Sequence, residues 1–281
     1  MNQIKPSLLH KLEQALDGMD RVTVAVSGGV DSLTLAQAAH RHLGGRAEMI
    51  HAVSPAVPRE ATARTRALAE REGWNLRVID AGEFGDENYV ANPVNRCFFC
   101  KSALYTSIAG LTDRQVVSGA NTDDLGDYRP GMEAAADQGV RHPFVEAGID
   151  KAGVREIARF LGLDMIAELP ASPCLSSRLE TGIQVTPEAL EFVHAVEARV
   201  GKWLAARGGF PGAVRCRIRA AGPAVELDDA SLADIRSDAG AAIRRDVADL
   251  AAAAGFGEEV PFEPYRMGSA FLKDAQKDAA E

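Results

Sequence analysis

The segment Ser27-Gly28-Gly29-Val30-Asp31-Ser32 constrains this chain more than any other. It follows an apolar, largely β-branched run, Val22-Thr23-Val24-Ala25-Val26, and opens an apolar-periodic stretch through Leu33, Leu35, Ala36 and Ala39. That order reads as strand, glycine turn, helix. Two adjacent glycines let the backbone approach an oxyanion closely, and the new helix aims its unpaired N–H groups at it. Ser27 and Ser32 add hydroxyl donors, and Asp31 is a candidate ligand for the Mg²⁺ that accompanies a polyphosphate. The Gly-Lys-Ser/Thr ending of a Walker A loop is absent. An ordinary strand-to-helix turn also uses Gly-Gly, but rarely with serine on both sides and an aspartate inside.

The surrounding sequence alternates strand and helix patterns. Ala47 to Val53 reads as a strand, Pro58 to Glu72 as a helix and Asn75 to Ile79 as a strand. A helix near Arg96 to Ile108 leads into the strand Gln115 to Ser118, and Asp150 caps a helix over Lys151 to Leu161. Alternation of this kind predicts an α/β, Rossmann-like domain, a parallel sheet with helices on both faces and ligands at the carboxyl ends of its strands. From about Ile183 the pattern changes. A helix over Pro187 to Ala206 precedes two short strands, Val214 to Ala220 and Ala224 to Leu227, about the turn Gly222-Pro223. A second, alanine-rich helix over Ala230 to Ala254 and a strand Val260 to Phe262 complete a small α+β domain. The expected division is therefore 1–182, carrying the loop and the cysteine site, and 183–281, for substrate binding or oligomerisation.

Charge limits the partners. The 281 residues carry a net charge of −9. From Ile183 onward 12 Lys and Arg stand against 16 Asp and Glu, a charge of −4; the preceding part has 19 against 24, a charge of −5. Neither is the cationic body of a protein that grips many nucleic-acid phosphates, so no nucleic-acid partner is expected. No apolar run approaches the ~20 residues that cross a bilayer. The amphipathic start lacks a signal-peptide core, which points to the cytoplasm without membrane association.

Cysteine usage is selective. Cys97 and Cys100 form a C-x-x-C pair, and Cys174 lies in a loop rich in proline and serine, Pro170 to Arg178. Three thiolates can hold an iron–sulfur cluster with one iron left open, a place for a transferable sulfide. The other readings are a cysteine that transfers sulfur without a cluster, a thioredoxin-like redox pair without its usual context, unrelated thiols, and a structural zinc site, which needs a fourth ligand such as His51 or His142. Cys216 alternates with Arg215, Arg217 and Arg219, which puts it with Ile218 on a core face. The three arginines make either a solvated face or a row suited to carboxylates and phosphate.

The loop Ser27–Ser32 resembles the PP-loop of ATP pyrophosphatases, which cleave ATP between its α and β phosphates. With it, Asn92 to Lys101, Gly119 to Gly131 and Cys174 to Arg178 resemble, in order, the motifs of the LarE family. The similarity runs from about Leu12 to Phe262, with Ala120 where members often carry threonine. LarE enzymes adenylate a carboxylate of pyridinium-3,5-biscarboxylic acid mononucleotide and convert it to a thiocarboxylate, making the nickel-pincer nucleotide. One branch gives up the sulfur of a single cysteine; the other binds a [4Fe–4S] cluster through three, which this chain has. The resemblance implies ATP, Mg²⁺ and the cluster as cofactors, with a sulfide donor and a homo-oligomer as partners. Ser27, Gly28, Gly29, Asp31 and Ser32 would then hold the phosphates, with Asp31 and Asp124 on Mg²⁺, although Asp124 serves equally as a loop cap. His51 and Val53 would flank adenine, and Gly119, Asn121 and Arg129 would complete the nucleotide site. Cys97, Cys100 and Cys174 would carry the sulfur chemistry, Arg178 would neutralise charge, and Arg215, Arg217 and Glu197 would meet the substrate. The competing functions are a tRNA thiolase of the same superfamily, an ammonia-using amide synthetase, and a non-catalytic nucleotide-sensing or metal-storage protein.

Overall fold

The computed structural model describes residues 6–126, 130–171, 173–208 and 212–271. In chain order the elements are α1 (Pro6–Asp17), β1 (Val22–Val26), α2 (Val30–Leu43), β2 (Ala47–Ala52), α3 (Arg59–Glu72) and β3 (Leu76–Ile79). Next come α4 (Glu87–Val90), α5 (Arg96–Ala109), β4 (Gln115–Ser118), α6 (Pro130–Asp137), α7 (Pro143–Glu146), α8 (Lys151–Phe160) and α9 (Asp164–Ala167). The chain continues through α10 (Pro187–Ala206), β5 (Val214–Arg219), β6 (Gly222–Leu227), α11 (Asp229–Arg236), α12 (Ala241–Ala253) and β7 (Phe262–Pro264). They form two compact units: Met1–Asp86 with Asn95–Ser172, and Glu87–Val94 with Pro173–Glu281.

The first unit is a Rossmann-like PP-loop domain, its four parallel strands ordered β3-β2-β1-β4. β1 is buried throughout because its side chains alternate between two faces of the sheet and each face meets a core. Val22, Val24 and Val26 join one core with Leu12 and Leu16 of α1, Leu33 of α2 and Val154 and Ile157 of α8. Ala25 joins another with Ile50, Tyr105, Ile108 and Val116. Chain order reverses between β1 and β4, so the loops after these two strands flank a topological switch point, where open α/β sheets bind ligands.

The second unit has a small sheet, β5-β6-β7, in which β5 and β6 are antiparallel and β7 is parallel to β6. The segment Glu87–Val94 belongs to it through specific bonds. The Asn92 amide donates to the carbonyls of Glu180 and Ile183, both at 2.8 Å, and Val185 N–H donates to the Val90 carbonyl at 2.9 Å. The units therefore exchange chain at Asp86/Glu87, Val94/Asn95 and Ser172/Pro173, whereas the sequence pattern set a single division at 182/183. A second difference is the helix read over Ala230 to Ala254, which is broken into α11 and α12 by a single turn, Asp238–Gly240. A Cβ on Gly240 would overlap the Ile235 carbonyl oxygen, a close approach only glycine permits.

Candidate functional site

In the first unit the segment Ser27–Ser32 forms the turn between β1 and α2. Gly28 has φ +83°, and a Cβ there would lie 2.7 Å from the Ala61 carbonyl oxygen of α3, so the position requires glycine twice over. Ser32 Oγ accepts from Ser27 N–H at 3.0 Å and lies 3.1 Å from Ser27 Oγ, which clasps the loop across its base. Gly29 caps α2 without any side-chain hydrogen bond, leaving the first turn of that helix with N–H groups to offer an anion.

The loop after β4 meets this turn. A Cβ on Gly119 would lie 2.8 Å from Ser32 N, so glycine lets β4 bring its loop against the start of α2. Asn121, 2% exposed, donates from its amide to Asp31 Oδ1 at 3.2 Å and caps the short turn Thr122–Leu125. Asp124 closes the capping box by accepting from Asn121 N–H at 3.0 Å. Asp31 itself is paired: Lys151 Nζ lies 2.5 Å from Oδ2.

His51 is fully buried at the end of β2. Its Nδ1 donates to the Val26 carbonyl at 2.8 Å and its Nε2 accepts from Thr62 Oγ at 2.9 Å, which ties β1 to α3. Burial holds its pKa below the usual histidine value, against the Val26 hydrogen bond. With both nitrogens engaged, His51 has none to offer a zinc ion. Val53 N–H donates to the Ile79 carbonyl at 2.8 Å, so what it offers a ligand is its carbonyl and side chain. Arg129 lies outside the described residues.

Cys97 and Cys100 sit in the first turn of α5, three residues apart and hence on one helix face, both half-buried. Cys174, also half-buried, belongs to the second unit, just before the turn Leu175–Arg178. None of the three is in a disulfide. Each is a thiol that is neither sealed nor cross-linked, a soft donor of the kind an iron–sulfur cluster takes. Within each unit, among the described residues, no three His, Cys, Asp or Glu side chains form a group that holds a metal ion. Cys216 is fully buried, and burial, with Glu197 adding to it, pushes its thiol pKa well up.

The arginines of the second unit are heavily engaged. Arg178, 2% exposed, grips Glu197 of α10 with two bonds, 2.9 and 3.0 Å, and donates to the Pro173 carbonyl at 2.8 Å. Burial opposes its charge, but Glu197 holds the guanidinium pKa above its ordinary value. Glu197 also accepts from Cys216 N–H at 2.9 Å, which makes it the counter-ion of Arg178 and a tether for β5. Arg217, 5% exposed, donates to Glu226 at 2.9 Å and to the Ser177 carbonyl at 3.1 Å. Arg215 is half-buried; burial lowers its pKa, with Arg178 nearby adding to the shift and Glu197 opposing it.

Sequence pattern alone does not single out three further residues. Lys151 reaches Asp31 across 120 positions, and no local spacing signals that. Arg64 of α3 donates from Nε to the Gly28 carbonyl at 3.0 Å, and burial lowers its pKa, against the charge of Glu60. Glu226 did leave a trace, as a lone acid among Ala224, Val225 and Leu227 on a strand beside an arginine strand.

No family model matches the chain. It is 42% identical over 195 residues to an uncharacterized protein of Synechocystis sp., an alignment covering 68% of this chain and 72% of that one. It is 31% identical over 228 residues to the pyridinium-3,5-bisthiocarboxylic acid mononucleotide synthase of Lactiplantibacillus plantarum, covering 79% of this chain and 80% of that one. The chain belongs to the LarE family. Like that synthase, this LarE-family member is an enzyme. A more distant similarity, 30% identity over 198 residues, links it to one of the subunits of the glutamine-hydrolyzing GMP synthase of Methanopyrus kandleri, over 65% of this chain and 63% of that one.

Proposed function

We propose that this enzyme is an ATP-dependent sulfur transferase that converts a carboxylate of pyridinium-3,5-biscarboxylic acid mononucleotide into a thiocarboxylate. The observation that carries this reading is the 31% identity to a named synthase over four-fifths of both chains. A carboxylate resists attack by sulfur because it is anionic and its oxygen leaves poorly. Attack of that carboxylate on the α-phosphorus of ATP breaks the bond to pyrophosphate and forms an acyl-adenylate. A sulfur nucleophile then adds to the acyl carbon and AMP departs with the oxygen. The protein's part is positioning and charge neutralisation.

In this reading the loop N–H groups, Ser27 and Ser32 bind the phosphates, Asp31 and Asp124 hold Mg²⁺, and Gly119, Asn121 and Arg129 shape the nucleotide site with the chain at His51 and Val53. Cys97, Cys100 and Cys174 would hold a [4Fe–4S] cluster, which when bound supplies the transferable sulfur. Arg215 is the cation we assign to the substrate's phosphate or second carboxylate, with Arg178, Arg217 and Glu197 fixing its surroundings. A sulfide donor and further copies of this chain are the proposed partners, in the cytoplasm. Among the described residues no helix is long and apolar enough to cross a membrane.

The test is anaerobic incubation of the reconstituted enzyme with Mg²⁺, ATP, the dicarboxylate mononucleotide and sulfide, with mass analysis of products and protein. AMP, pyrophosphate and thiocarboxylate in step are the expected result. Dehydroalanine at position 174 after one turnover would make Cys174 itself the sulfur source. Activity on tRNA, or none on the mononucleotide, would overturn the reading.

A further inference from the structure

Lys151 opens α8 directly after its cap, Asp150, whose carboxylate accepts from Gly153 N–H at 2.8 Å. A cation is out of place there, because the first turn of a helix favours carboxylates through its unpaired N–H groups and macrodipole. The compensating group is Asp31 of the phosphate loop, 2.5 Å from the ammonium. Neither side chain is sealed: Lys151 is 34% exposed and Asp31 27%, so a ligand reaches both. The two oxygens of Asp31 are held differently. Oδ1 accepts from the buried Asn121 amide at 3.2 Å, while among the described residues Oδ2 meets only the partly exposed ammonium of Lys151. Departure of the ammonium would leave the carboxylate in place with one oxygen bare, and a small divalent cation is a harder, doubly charged replacement.

We propose that Lys151 is an exchangeable counter-ion of the phosphate loop. In the nucleotide-free enzyme it occupies Asp31 and weakens binding of divalent cations. When the nucleotide arrives with its metal, Asp31 passes to the metal and the ammonium turns to the phosphate oxygens. There it meets the negative charge that builds on pyrophosphate as the electron pair of the breaking P–O bond moves onto it; Lys151 gives up no proton. This rests on reading Ser27–Ser32 as an ATP loop.

The experiment measures Mn²⁺ binding to the nucleotide-free protein by electron paramagnetic resonance of free Mn²⁺, for wild type, Lys151→Met and Lys151→Arg. Lys151→Met should bind Mn²⁺ about fivefold tighter, the order an exposed ion pair is worth. It should bind pyrophosphate about tenfold weaker, whereas Lys151→Arg stays near wild type. A merely structural lysine predicts equal or weaker Mn²⁺ binding in Lys151→Met, and that result overturns the proposal. A wild-type measurement guards against a poorly folded variant: Mn²⁺ should speed amine-reactive labelling of Lys151, and added pyrophosphate should slow it again. Unchanged or slower labelling with Mn²⁺ overturns the proposal even where wild type splits ATP. Wild type that releases no pyrophosphate from ATP removes the reading of the loop, and this inference with it.

Discussion

Glu226 in the second unit and Asp31 in the first are both carboxylates facing cations, but they are held in opposite ways. Glu226 is fully buried and accepts from Arg217 at 2.9 Å, Arg219 at 2.6 Å and Ser269 at 2.6 Å. Burial alone would raise its pKa; Ser269 and the two arginines together hold it below the ordinary carboxylate value. Asp31 is about a quarter exposed and has one ammonium and one amide as partners. The difference assigns their work. A buried carboxylate held by three donors does not exchange partners readily, because breaking its bond to the buried Arg217 strands both charges away from water. A partly exposed carboxylate with two partners exchanges one at little cost. Arg217 and Arg219 of the second unit are thus framework, and the first unit's loop is where we propose that ligands come and go.

The largest effect should come from breaking the framework. Glu226→Gln strands the buried Arg217 and should cost about 3–5 kcal/mol of stability, read as a lowered urea midpoint. A loss under about 1 kcal/mol would mean the arginines have another counter-charge and the contrast fails. Asp31→Asn should do the reverse: pyrophosphate release about 100-fold slower or worse, roughly 2.7 kcal/mol in the transition state, with the urea midpoint close to wild type. The smallest effect is a pH dependence. His51 has a folded pKa below 6.5, so the unfolded chain takes up its proton more readily as pH drops. Its contribution to stability is complete above pH 6.5 and declines below it. His142, whose pKa burial also lowers, slopes the same way, so His51→Asn should flatten the acid side of the stability curve only in part.

The legible parts of the molecule were those in which local sequence and final environment agree. β1, β4 and α10 have the bounds the sequence predicts, because a β-branched run buried on both faces and a Thr186-capped helix beginning at Pro187 each carry their own signals. The phosphate loop was legible for the same reason: its glycines answer to contacts only a few elements away. Asn121 and Asp124 stood out as a motif, but their capping box depends on a loop conformation that follows from β4. Lys151 was invisible because its partner lies across the sheet's switch point, and its position at a helix N-terminus contradicts local preference. Arg217 reads as half of an alternating face, yet Glu226 draws it into the core from the diagonal position, since the β5–β6 register sets that acid opposite Arg215 and Ala224 opposite Arg217. The broken helix Ala230 to Ala254 was hidden by its alanines, whose helix preference is the same on either side of Gly240.

We propose that the first unit activates the substrate with ATP and that the cysteines act afterwards, on sulfur. This order is tested most directly by measuring pyrophosphate and thiocarboxylate together, anaerobically, for wild type, Cys97→Ala, Cys100→Ala and Cys174→Ala. The account predicts that all four release pyrophosphate in response to the dicarboxylate mononucleotide, and that only wild type forms thiocarboxylate. Cysteine variants that still make thiocarboxylate, or a wild type that makes it without consuming ATP, would contradict it.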